Sequence, residues 1–391
     1  MDMKSFQHVT PPFRLFSGAD SLKNLGRELA RLGSKRAVVF CGGTLSRDEK
    51  LMGLLQTAMG ERLAGVFAGV KAHSPVPAVE QAVAEMKRLE GDAIVAVGGG
   101  SAVVTARAAA ILLAEGRHPR ELCTTFDEKG TPSSPRLDAP KIPQLVVPTT
   151  PNTATVKAGT ADHDPETGKR LAMFDPKTRV QSLFIHPDFM ASSSRSLLLG
   201  SCTDSFASAI EGLLSRSGNP ISDALLIHSV RLVAQHSANP DLFDDPAVRG
   251  DLMMAAIMTG QGTDQTGAGI ATVLGHAIGP AHHVDNGVVK ALVMPEVLRF
   301  NAEAAQPGLR KLATALEVRD VGPDALLDGV IAALDPVIRA LGVPRQLRDL
   351  GVPHEGLEHA AEHAMGDWFL RGSPRKVQGV SDLMQVLEAS W

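Results

Sequence analysis

The chain has 391 residues and a formal net charge of −4, with 39 Lys and Arg against 43 Asp and Glu, so it offers no basic excess for binding nucleic acid. Hydrophobic residues make up 44% and charged residues 21%, ordinary for a globular protein of two or three domains, and with aromatics at 4% and no Tyr the core must rest on aliphatic side chains. No run reaches the roughly 20 apolar residues of a membrane span, Met1 to Val9 hold no apolar signal core, and the distant cysteines Cys41, Cys123 and Cys202 form neither a disulfide framework nor a zinc pairing. The expectation is a cytoplasmic protein with no membrane association.

In chain order, Ala37 to Cys41 (AVVFC) is a short β-branched run that ends in Gly42-Gly43 and reads as a buried strand. Val79 to Leu89 has helical spacing. Ala93 to Val97 (AIVAV) is a second buried strand, followed at once by Gly98-Gly99-Gly100-Ser101 and an Ala-rich helix over Ala102 to Ala114. A polar, Pro-rich loop covers about Glu115 to Pro140, and Gln144 to Val147 is a further strand running into Pro148-Thr149-Thr150. Strands alternating with helices predict a parallel sheet with helices on both faces. From about Ser192 onward the apolar segments keep helical spacing, and Asn219-Pro220 reads as a helix start. The predicted fold is therefore an α/β N-terminal domain with a parallel sheet, residues 1–190, followed by an all-α C-terminal domain, residues 191–391.

The turn Gly98-Gly99-Gly100-Ser101 joins a buried strand to a helix. Glycines there admit the backbone close to a phosphate, and the helix start offers unpaired N–H groups and the positive end of its dipole. The G-x-G-x-x-G dinucleotide fingerprint is absent. A tight turn with no ligand is the other reading. The turn Gly42-Gly43-Thr44 closes the first strand, and at the carboxyl edge of a parallel sheet both turns face the crevice where such folds bind ligands.

Taken together, these segments resemble the iron-containing alcohol dehydrogenase family. Gly18 lies in FSGADSL, at the family's early G-A-G-x-L turn. AIVAVGGGS is similar to its phosphate loop and VPTT, Val147 to Thr150, to its P-T-T turn. NPISDA, Asn219 to Ala224, VMPEVLRFN, Val293 to Asn301, and LGVPRQLRDLGV near Leu341 follow in the family's order. The resemblance implies a nucleotide-binding α/β domain and a helical domain with the active site between them. It also implies NAD or NADP as cofactor, held by Gly42, Gly98, Gly99, Gly100, Ser101, Thr149, Thr150 and Thr153. The expected partner is a small-molecule carbonyl or alcohol substrate, and the expected assembly is a homodimer, the commonest oligomer.

The family holds a divalent metal with one Asp and three His. Its D-x-x-x-H reads Asp204 to Ser208 here, its H-x-x-x-H-x-L-G reads Thr272 to Gly279, and its H-G-V reads Asn286 to Val288. Asp204 remains, but Ser208, Thr272 and Asn286 stand at the three His positions, and one carboxylate with Ser, Thr and Asn is at best a weak hard-oxygen site. A weak site on Asp204 and His276, or one relocated to His276, His282 or His283, is the alternative to a metal-free centre. Asp204 reads equally as a helix N-terminal charge or as a hydrogen-bonded structural acid. Without a metal, a general acid must serve the developing oxyanion. His276, the second His of H-x-x-x-H, is the leading candidate, against a hydrogen-bonded core histidine. His283 and Lys290 come next, and Lys157 after them.

The maleylacetate reductase branch is similar in several departures: Val104 and Arg107 in the helix after the glycine turn, VFAGV over Val66 to Val70, and the ending from Ser373-Pro374-Arg375. The long 115–140 loop and PTTPNTATV depart from it, so the substrate expectation is a carbonyl compound, its carboxylate met by Arg371 or Arg375, unless both are surface arginines. Gly42 replaces an Asp that would repel a 2′-phosphate, which permits NADP; Arg47 is the nearest basic residue. Two other functions stay open: a nucleotide-binding protein that has lost dehydrogenase activity, and a lyase on the same fold.

Overall fold

The computed structural model describes residues 5–127, 132–239, 243–319 and 322–391, so positions 128–131 of the predicted loop lie outside the described residues. The chain divides into two compact units, Pro11–Ser194 and Arg195–Trp391, and residues up to Thr10 group with the second. There the Gln265 amide donates to the Val9 carbonyl at 3.3 Å. The sequence reading places this N-terminal segment in the α/β domain; the structure groups it with the helices.

The first unit holds β1 (Arg14–Ser17), β2 (Ala37–Phe40), β3 (Leu63–Phe67), β4 (Ala93–Gly98), β5 (Gln144–Pro148), the hairpin β6 (Gly159–His163) and β7 (Arg170–Phe174), and β8 (Ser182–Ile185). Six of them form one parallel sheet in the order β1-β8-β5-β4-β2-β3. The runs predicted as buried strands are the neighbours β2, β4 and β5, buried throughout except at Gly98. Strands covered on both faces lack alternation and read as unbroken apolar runs. The edge strands β1 and β3 are half-exposed, and β8 is a run of only four residues, too short for periodicity to identify. One face packs under helices α1 (Leu25–Arg31) and α2 (Glu49–Met59), through Leu25, Leu29, Leu51 and Leu55 against Val39, Val95 and Val147. On the sheet also lies α4 (Gly100–Glu115), with α3 (Val76–Arg88) beside it. β3 lies on one side of β2 and β4 on the other, so the strand order reverses between β2 and β4. With Phe40 level with Ala96, the two glycine turns leave the same sheet edge at that switch point, where such sheets bind ligands.

The second unit is built from α5 (Arg195–Leu214), α6 (Pro220–Ser237), α7 (Pro246–Thr266), α8 (Ile270–His282), α9 (Asn286–Asn301), α10 (Gln306–Ala315), α11 (Pro323–Ala340), α12 (Leu357–Met365) and α13 (Val380–Ser390) around one aliphatic core. The predicted start at Asn219-Pro220 is a capping box. The Asn219 side chain accepts from the Ile221 and Ser222 amides, while Ser222 Oγ accepts from the Asn219 amide at 2.9 Å. No helix among the described residues is long and apolar enough to cross a membrane.

On β6, Asp162 is fully buried; Thr160 Oγ1 donates to its Oδ1 at 3.3 Å, while its Oδ2 has no partner. Burial pushes its carboxyl up to about 8, against a smaller opposing pull from Arg170. The folded chain therefore keeps a proton there that the unfolded chain loses near its ordinary value, so this group's contribution to stability falls as pH rises from about 4 to about 8. The isosteric Asp162→Asn removes that slope. Chemical denaturation is expected to show the variant gaining on the parent protein between pH 5 and pH 8; parallel curves would refute a protonated Asp162.

Candidate active site

In the α/β unit, β4 ends at Gly98, whose φ of +146° lies in a region that L side chains rarely adopt. Gly99 caps α4, whose first turn carries no acidic residue to repel an anion. The P-T-T turn packs against this start: the Thr149 amide donates to the Gly98 carbonyl at 3.0 Å, and a Cβ on Gly99 would lie 3.1 Å from Thr150 Oγ1. The predicted residues Gly98, Gly99, Gly100, Ser101, Thr149 and Thr150 therefore share one locus, with Thr153 opening the short 3-10 turn beyond it. Asn152, absent from the predicted set, joins them, its amide donating to the Thr150 carbonyl at 2.9 Å. Thr150 Oγ1 and Asn152 Oδ1 are both buried without a hydrogen-bond partner, as expected of polar groups placed for a ligand. Arg107 of α4, fully buried, holds the locus from behind, donating to the Gly159 carbonyl at 2.5 Å and the Ala154 carbonyl at 2.7 Å. At the other turn Gly42 caps a short helix, Gly43–Ser46, and the Arg47 guanidinium would lie 3.7 Å from a Cβ on Gly43.

In the helical unit, α5 carries Asp204, Ser208 and Glu211 along one side, as the i, i+4 and i, i+7 spacings require. Opposite it, α9 approaches so closely at Gly287 that a Cβ there would fall 2.5 Å from the Asp204 amide nitrogen. One turn on, Lys290 runs past Gly275 of α8, where a Cβ would lie 2.8 Å from the lysine Cγ. Its ammonium donates to Asp204 Oδ1 at 2.8 Å and to Ser208 Oγ at 2.7 Å. Ser208 in turn donates to the Asp204 carbonyl at 2.8 Å. Glu211, buried, caps α8 by accepting from the Ala271 amide at 2.7 Å, the Thr272 amide at 3.2 Å and Thr272 Oγ1 at 2.5 Å. Burial pushes its carboxyl above the usual range, and Lys290 and Thr272 pull the other way.

On α8, His276 Nδ1 meets Asp367 Oδ2 at 2.7 Å. Asp367 Oδ1 is fixed by the Phe369 amide at 3.0 Å, so the carboxylate orients the imidazole. The sequence reading omits Asp367, which lies 91 residues beyond His276; no local pattern links the two. His283, by contrast, caps α8 in the left-handed region (φ 55°) with an exposed side chain, bonded to neither pair. Asn286 lies over Gly279 at the start of α9. Asp204 and His276, paired in the weak metal expectation, have different partners, and the described residues contain no group of three or more His, Cys, Asp and Glu placed to hold a metal. Arg375 is occupied as well: its guanidinium sits 4.0 Å over the Phe300 ring and 3.6 Å from Asp382.

Two family models match the chain, iron-containing alcohol dehydrogenase over residues 12–187 and the C-terminal part of the Fe-containing alcohol dehydrogenase family over residues 199–391. The chain belongs to the iron-containing alcohol dehydrogenase family. Members of this family are NAD(P)-dependent oxidoreductases. Lactaldehyde reductase of Escherichia coli is 25% identical over 375 residues, covering 95% of this chain and 94% of its own length. Maleylacetate reductase of Burkholderia cepacia is 26% identical over 379 residues, with coverage of 95% and 94%. Among solved structures, an alcohol dehydrogenase from Oenococcus oeni has a TM-score of 0.89 at 20% identity, covering 99% of this chain and 100% of its own.

Within this family member, the placement of Lys290 depends on the α5–α9 approach. Gly287→Ala puts a methyl against the Asp204 backbone, so the helices must part. Overpacking of this kind costs about 1–3 kcal/mol, and the Lys290–Asp204 bond lengthens or breaks. Thermal unfolding is expected to show a lower midpoint, whereas an unchanged midpoint would contradict the close crossing.

Proposed function

We propose that this protein is an NADPH-dependent reductase of a small aldehyde or ketone that works without a tightly held divalent metal, with His276 delivering the proton. The observation that carries the nucleotide half is the pair of orphaned polar atoms at the glycine turn. Thr150 Oγ1 can donate to a phosphate oxygen, and Asn152 Oδ1 can accept from a ribose hydroxyl or a carboxamide. With the N-terminus of α4 free of acidic side chains beside them, these residues suit a dinucleotide. NADPH is favoured over NADH because Gly42 leaves no carboxylate after β2 and the Arg47 guanidinium lies beside the adjoining turn. The relatives' names describe reductases of small carbonyl compounds, which supports the same substrate class here.

The donor set is unsuited to a divalent ion. Of the four family ligand positions, Asp204 and Ser208 bond an ammonium, Thr272 donates its proton to Glu211, and Asn286 packs on Gly279. A metal there would have to displace a cation and break a helix cap, with no imidazole to replace them. Proton delivery then falls to a side chain, and a histidine fixed through Nδ1 by a carboxylate is suited to it. No step of this reading passes through a metal.

Calorimetric titration of chelator-treated protein is expected to give saturable binding of one NADPH per chain, tighter than NADH. Gly42→Asp should weaken NADPH by about tenfold or more while sparing NADH, since about 1.4 kcal/mol of lost or repulsive interaction is a factor of ten. No binding of either nucleotide at millimolar concentration would sink the proposal. For the proton donor, His276→Ala should lower kcat by about 10²–10⁴ with nucleotide affinity kept, and Asp367→Asn should lower it less. Nucleotide binding with no turnover of any carbonyl tried would instead favour a family member that has lost its dehydrogenase activity.

A further inference from the structure

We infer that the Lys290 ammonium is the resident cation of this centre, a catalytic group that donates to the substrate's carbonyl oxygen from between Asp204 and Ser208. The inference rests on the reductase reading above and adds to it the group that stabilises the oxyanion. The geometry is that of a fixed charge. Two of the three ammonium N–H bonds are spent on Asp204 Oδ1 and Ser208 Oγ, at 2.8 and 2.7 Å. The third has no partner among the described residues. The lysine side chain is 5% exposed and the Asp204 side chain beside it 37% exposed. Ser208 gives its own proton to the Asp204 carbonyl and turns a lone pair to the ammonium. Gly275 and Gly287 leave space for the lysine stem and the helix that carries it. Two residues at family ligand positions thus hold an ammonium by its donors.

Stability alone does not explain this arrangement. The carboxylates of Asp204, Glu211 and Asp285 all attract this ammonium, yet desolvation offsets much of that gain, and an apolar side chain of similar volume is often as stable. A donor already oriented before the reaction is instead what a developing oxyanion requires, because no reorganisation is needed when charge appears. When bound, NADPH would supply a hydride with its electron pair to the carbonyl carbon and leave as NADP+. Lys290 would donate its third N–H to the oxygen that takes up the carbonyl π pair, and His276, its proton replaced from water, would complete the alcohol.

The test uses the full chain after chelator treatment. Lys290→Met is expected to bind NADPH as the parent does and to unfold within a few degrees of it. Its kcat should fall by about 10²-fold or more and recover in part with added methylammonium, which restores an N–H cation to the vacated space. A Lys290→Met variant that keeps kcat within threefold of the parent overturns this inference alone. A parent protein that turns over no carbonyl overturns the reductase reading, and this inference with it. A second measurement does not depend on how the variant folds: titration of the parent with Zn2+ and with Fe2+ should show no stoichiometric binding at micromolar concentration. One ion bound per chain would mean that a metal, not Lys290, is the cation.

Discussion

The close crossing of α5, α8 and α9 is the constraint on which the polar cluster of the helical unit depends. At Gly287 the space for a side chain is taken by the backbone of Asp204, and at Gly275 by the stem of Lys290. Helix axes normally stand 8–10 Å apart, set by the side chains between them. Removing those side chains lets a long cationic residue on one helix reach a carboxylate and a hydroxyl on the next within hydrogen-bond distance. A buried ammonium needs acceptors close by, and Asp204 and Ser208 meet two of its three donors, so the glycines, Asp204, Ser208 and Lys290 form one interdependent set. Changing any member alters the terms on which the others are stable.

The same logic explains the partners of the polar residues on α8. Thr272 lies in the first turn of α8, where backbone amides need acceptors, and the carboxylate of Glu211 supplies them while also taking the threonine hydroxyl proton. Glu211 is itself one turn beyond Ser208 on α5, so the cap and the ammonium site are carried by a single helix face. Four residues after Thr272, His276 meets Asp367. The unit therefore holds two polar devices, a cation fixed by two acceptors and an imidazole fixed by a carboxylate.

In the α/β unit the glycine turn is shaped from two sides. The P-T-T turn fixes its outer edge through Thr149 and Thr150, and Arg107 ties α4 to the segments that follow. A guanidinium suits that second task because its planar fork reaches two carbonyls at once. The orphaned atoms of Thr150 and Asn152 remain inside this frame, kept polar and unpaired at a cost of about 1–3 kcal/mol each in the absence of a partner.

Much of this was written along the chain. The parallel sheet is legible because β2, β4 and β5, buried on both faces, leave apolar runs closed by glycine or, after β5, by the P-T-T turn, and the helices of the second unit announce themselves by spacing and by the Asn219 cap. The expectation that Ser208, Thr272 and Asn286 stand at the family's His positions likewise rests on residue type alone. The edge strands and β8 were not legible, since a half-exposed strand leaves no unbroken apolar run and the four residues of β8 begin with Ser182 and have no glycine turn to close them. The grouping of residues before Pro11 with the helices was not legible either, because it depends on contacts such as Gln265 to Val9 and not on composition. What only the tertiary structure decided is who faces whom. The partners Lys290 and Asp204 are separated by 86 residues and His276 and Asp367 by 91, and such pairings arise from the way helices pack. Sequence spacing orders the faces of one helix; it carries no information about which face of another helix will be brought against it.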